Sequence, residues 1–113
     1  MALLALQTMT AAGLSPTFSS AAGGGDTVAL TGSNDDRCYL RVKNASGSSV
    51  TVTVTDPALT LAGSAAVSPT FTVPATTGDV SWPLHPGLVN TATGLISISY
   101  SATTSLTVAA IRR

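Results

Sequence analysis

At 113 residues the chain is sized for one domain, and a hydrophobic content of 44% with only 4% aromatics means a core built from Ala, Val and Leu. Charged residues make up 9% of the chain, five basic against five acidic with no glutamate; a net charge of zero leaves no electrostatic footprint for nucleic acid and no basic face for an anionic membrane. The single cysteine, Cys38, excludes an internal disulfide, and no apolar run approaches the roughly 20 residues needed to span a bilayer. A neutral surface rich in Ser and Thr suits a protein packed against other protein, because a freely diffusing domain usually carries more charge. A core of small side chains gains little over the entropy of ordering the backbone, so help from neighbouring subunits is expected.

Residues 1–12 read as an N-terminal arm or first strand, and residues 13–113 as a single β-sandwich domain. Leu3, Leu4 and Leu6 fit neither the helical nor the strand period cleanly, and Thr8, Thr10 and Gly13 are poor helix company, which favours a strand or an extended arm reaching a neighbour. The opening apolar stretch lacks the basic n-region of a signal peptide, so the chain is expected to stay in the cytoplasm until it is assembled. Gly23-Gly24-Gly25 reads as a connector; a phosphate cradle would need a lysine and a following helix, and neither is there. Residues 27–30 are a short strand candidate and 31–36 a turn, where Asp35-Asp36 lacks the spacing of a known calcium loop.

From Cys38 to Pro57 the pattern is clearest. Leu40 and Val42 share one face against Tyr39, Arg41 and Lys43; Val50, Val52 and Val54 oppose Thr51, Thr53 and Thr55. With Asn44-Ala45-Ser46-Gly47-Ser48 between them, the two strands read as a hairpin with one oily side, ended by Asp56-Pro57. Residues 58–66 are a small-residue connection. Thr70 to Val73, bracketed by Pro69 and Pro74, reads as an edge strand, and Val80, Trp82 and Leu84 line one face of the next. Trp82 suits a core or rim position, with a partner contact as the alternative. His85 lies in a turn with no second ligand near it, and residues 88–93 form an irregular approach to the next strand. Ile96, Ile98 and Tyr100 oppose Leu95, Ser97 and Ser99, and a final strand with Leu106, Val108 and Ala110 pairs with its predecessor in the simplest reading before Arg112-Arg113.

Gly13-Leu14-x-Pro16-Thr17, Ala21-Ala22-x-Gly-Gly-Asp26, the Tyr39 to Thr53 segment, and Thr93-Gly94-Leu95-Ile96-Ser97-Ile98-Ser99-Tyr100-Ser101 followed by Ser105-Leu106-Thr107-Val108-Ala109-Ala110-Ile111-Arg112 resemble the small head proteins of tailed bacteriophages. These are decoration or minor capsid proteins, especially of phages infecting actinobacteria, and the similarity runs from about Gly13 to Arg113. The resemblance implies a virion protein on the capsid exterior whose partners are the major capsid protein and further copies of itself, often as a homotrimer, with monomers at hexamer centres as the other arrangement.

The expected fold is an all-β antiparallel sandwich of Greek-key or jelly-roll type with seven to nine short strands. The expected role is structural, stabilising a capsid by binding across adjacent subunits, with Leu3, Leu4, Leu6, Trp82, Arg112 and Arg113 as candidate partner contacts. Neither nucleic acid nor membrane is expected as a partner, and no cofactor or metal. An enzyme is disfavoured because Asp26, Asp35, Asp36, Asp56 and Asp79 are the only carboxylates and mostly occupy turns. The alternatives are a carbohydrate-binding or adhesin-like module and a tail or neck component.

Overall fold

The computed structural model describes residues 2–29, 37–57, 68–90 and 93–113. They form ten strands and one short 3₁₀ turn: β1 (Ala2–Leu4), β2 (Leu6–Thr8), β3 (Ser19–Ser20), β4 (Asp26–Val28), β5 (Cys38–Asn44), β6 (Val50–Val54), β7 (Thr70–Val73), β8 (Gly78–Pro83), the turn Pro86–Leu88, β9 (Ile96–Tyr100) and β10 (Leu106–Arg112). One sheet has the order β1-β4-β9-β6-β7, and the other β2-β10-β5-β8 with β3 also on β10. The predicted alternations hold in β5, β6, β9 and β10, since Leu40, Val42, Val50, Val52, Val54, Ile96, Ile98, Leu106 and Val108 are all buried between the sheets.

The winding is a set of nested antiparallel pairs. β6 pairs β7, β5 pairs β8, β4 pairs β9, and β3 pairs β10, each pair enclosing the previous one. Pairings of β10 with β5 and of β9 with β6 then knit these ribbons into two layers. This is jelly-roll winding, an eight-stranded double Greek key with two extra strands from the N-terminus.

Three details differ from the sequence reading. The strands number ten, because the first 20 residues contribute three short ones. Two pairings are parallel, β1 on β4 and β2 on β10. The segments from Cys38 to Pro57 and from Ile96 to Arg112 are not hairpins: β5 and β10 lie in one sheet, β6 and β9 in the other, so each connection is an arch across the core. Their apolar faces meet each other, which covers the valines more completely than a single ribbon could. The turn over 31–36, Leu30, Asp35-Asp36 and the 58–66 connection lie outside the described residues.

At one end of the sandwich three arches are laced together. The Asn44 side chain, 2% exposed, donates through Nδ2 to the Ser48 and Val73 carbonyls and accepts through Oδ1 from the Ser46 N–H and hydroxyl. The Thr76 N–H donates to the Ser46 carbonyl at 2.8 Å, and the Ala45 N–H to that of Ser105 at 3.0 Å. Thr76 (φ 68°) and Ser105 (φ 51°) occupy the left-handed region, uncommon for L-residues and most so for a β-branched one. A Cβ on buried Gly78 would overlap the Pro74 carbonyl oxygen and come within 2.8 Å of Val73 Cγ1, so the β7–β8 arch closes only over glycine.

Candidate interaction surfaces

The two open sides of the sandwich are closed differently. On one side the N-terminal segment crosses between the sheets: β1 extends the first sheet, exposed Ala5 makes the step, and β2 extends the second. On the other side lie the edge strands β7 and β8, which is where the proline-bracketed strand was expected. There the rings of Phe71 and Trp82 stack at 5.7 Å with 10° between their planes, half-buried against the core.

The candidate contact residues do not converge. Leu3 is 64% exposed on the outer face of β1, whereas Leu4 is 7% exposed and sits in the core beside Val28, the residue its register meets on β4. Leu4 therefore sits in the core and not on the surface of the folded chain, because alternation turns it inward when Leu3 turns out. Leu6 is half-buried against the core. The register Leu6–Ala110–Leu40–Trp82 spans the inner face of the second sheet, so Leu6 and Trp82 stand at its opposite edges. Arg112, half-buried, lies between Thr8 and Cys38. Exposed Arg113 donates its N–H to the Arg37 carbonyl and lines an open cavity of about 400 Å³ with Arg37, Cys38, Tyr39, Ser81 and Pro83.

The outer faces of the two sheets have opposite chemistry. On the second sheet, Arg41 clamps Asp79 through two hydrogen bonds of 2.9 and 2.7 Å, and the Phe18 ring lies 4.4 Å from Lys43 Nζ and 5.7 Å from the Arg41 guanidinium. The hydrogen bond from Arg41 holds the Asp79 carboxyl below its usual range and raises Arg41 in turn. Both side chains are 34% exposed, and such a pair contributes only about 0–1 kcal/mol. On the first sheet, the outward positions of β4, β6, β7 and β9 are Thr27, Thr51, Thr53, Thr70, Thr72, Ser97 and Ser99. Their registers place Ser97 beside Thr27, which is itself buried, and Thr53 between Ser99 and Thr70, so β6, β7 and β9 present a continuous hydroxyl field with no charged side chain among the described residues.

One carboxyl is internal. Asp26 is fully buried; its Oδ2 accepts from the Tyr100 hydroxyl at 2.6 Å and from the Ala22 N–H at 3.3 Å, while Oδ1 has no hydrogen-bond partner among the described residues. Burial first, then the bond to Asp26, raises the Tyr100 pKa. His85 caps the 3₁₀ turn by accepting the Gly87 N–H at Nδ1. Asn44-Ala45-Ser46 has the form of an N-glycosylation acceptor, but the burial and full bonding of Asn44 close it to modification. No group of three or more metal-ligating side chains occurs among the described residues.

Comparison with known proteins finds no matching family model, no matching curated protein and no matching solved structure.

Proposed function

We propose that this chain is a structural protein of a tailed-phage virion that decorates the outside of the capsid and stabilises it by binding across adjacent major capsid subunits. The sequence resemblance over residues 13–113 motivates the reading, and the structural observation that carries it is the uncharged hydroxyl field on the first sheet. A face of Ser and Thr can be buried against another protein without stranding a charge, since each hydroxyl can exchange water for a backbone or side-chain partner. The charged side chains of the second sheet stay in water on the opposite face. In this reading the chain adds to the assembled shell as a homotrimer, and the strength of the shell is collective: each contact is modest, but every lattice position repeats it.

The test is the copy number of the chain in purified particles, measured by quantitative mass spectrometry against the major capsid protein. A simple stoichiometric ratio to the capsid protein is the expected outcome. A handful of copies would place the chain in the tail or neck. Absence from particles would sink the virion reading in favour of a carbohydrate-binding module, for which half-exposed Trp82 and Phe71 are the aromatic resource.

A further inference from the structure

We infer that the strand pair Ala2–Thr8 is an exchangeable element, and that a second copy of this chain accepts it along the edges of β4 and β10. This does not rest on the capsid reading, since copies could exchange strands in free solution.

The groove is defined by its present occupant. β1 lies parallel to β4 with Ala2, Leu3 and Leu4 opposite Asp26, Thr27 and Val28; β2 lies parallel to β10 with Leu6, Gln7 and Thr8 opposite Ala110, Ile111 and Arg112. Each ladder is three residues long and each strand is outermost in its sheet at that point. Leu4 seats between the sheets and Leu6 packs against the core, so the groove needs these strands, but nothing in the pairing requires them to come from the same chain. Any second copy carries an identical segment, which fits by identity.

The connection to the body is long and mostly exposed, with Leu14, Pro16 and Phe18 half-buried. Residues 9–18 separate β2 from β3, turning at Thr10–Gly13, where the Gly13 N–H donates to the Thr10 carbonyl at 2.9 Å and Gly13 has φ 90°. Straightened, ten residues reach about 33–36 Å, comparable with the molecular extents of 41 × 36 × 19 Å. The segment meets its own chain through the Met9 N–H on the Arg112 carbonyl and a double hydrogen bond between the Gln7 amide and the Thr17 backbone, each 2.8 Å. All three can form equally with the Arg112 and Thr17 of another copy, so the closed and exchanged forms differ only in the course of the hinge. Beneath the crossing lies a cavity of about 200 Å³ lined by Leu4, Ala5, Gln7, Thr17, Ser19 and Ala109, so the segment is less tightly seated there than a core strand. The first charged residue in the sequence is Asp26, so nothing in the segment resists burial against a neighbour. Exchange of an identical element is a low-cost route to closed oligomers, because the interface already exists within each monomer.

The test uses two full-length variants, one carrying Leu3→Cys and the other Thr27→Cys. These positions are direct register partners; Leu3 is exposed, and Thr27, though buried, lies outside the hydrophobic cluster and is close to cysteine in volume. The variants are unfolded, mixed, refolded at high concentration and oxidised, and the linked peptides are identified by mass spectrometry. The expected result is a covalent heterodimer joining position 3 of one variant to position 27 of the other, with an oligomer in light scattering of the unmodified chain. A mixture in which no such interchain bond forms, or a chain that scatters as a monomer at every concentration, overturns the inference.

Discussion

Tyr100 and Asp26 show how a single pair inside a sandwich sets a limit on its working range. The folded chain raises the Tyr100 pKa, so it keeps the phenolic proton at pH values where an unfolded tyrosine, titrating near about 10, has lost it. Above that pH the unfolded state binds fewer protons than the folded one, so stability that is complete below about pH 10 falls as the pH rises. Tyr100→Phe is expected to cost about 1–3 kcal/mol at neutral pH, because Asp26 Oδ2 loses its shorter hydrogen bond in a buried place. The variant should also lose part of the alkaline decline. Urea unfolding of both proteins at a series of pH values measures the two effects, and parallel alkaline slopes would refute the second. The sequence marks Asp26 only as a residue after a glycine run. Its burial depends on a hydroxyl 74 positions away, and no local pattern carries that information.

The elements were largely legible and their pairing was not. Alternation in Cys38–Asn44, Val50–Val54 and Ile96–Tyr100 identifies which side chains face inward, because the two-residue period belongs to each strand alone. A hairpin and an arch have the same alternation: in one the apolar faces lie side by side, in the other they face each other across the core. The turn residues do not separate the two, since Asn44 serves the β5–β6 arch with the bonds a hairpin loop would also use. The N-terminal segment was ambiguous for a related reason. Its step between sheets at Ala5 breaks the alternation, so Leu4 and Leu6 both turn inward from different sheets. Leu4→Ala is expected to lose about 2–4 kcal/mol and Leu3→Ala to stay within about 0.5 kcal/mol of the parent, by chemical denaturation. Equal losses would mean that the segment does not seat as described.

For the whole molecule, short alternating strands separated by turn residues anticipated a two-layer sandwich, and the body is 19 Å in its shortest dimension. The candidate contacts were less legible, because Leu3, Trp82 and Arg113 are separated by the winding rather than by distance along the chain. The hydroxyl field is visible in sequence as Ser and Thr at alternate positions of β6, β7 and β9, but only the pairing registers gather those strands into one surface.

The nested pairing also dictates an order of events in time. β6 and β7 can meet as soon as both exist, β5 must wait for β8, β4 for β9, and β3 for β10, so every later contact closes a longer loop than the one before. A chain emerging from the ribosome can therefore hold its central ribbon early but cannot complete the first layer until β9 is free or the second until β10 is free. β10 joins β2, β3 and β5, and a chain ending before Leu106 is expected to show no cooperative thermal transition. With most contacts between distant residues, refolding of the intact chain should be slow for its size, on the order of milliseconds to seconds in stopped-flow fluorescence of Trp82.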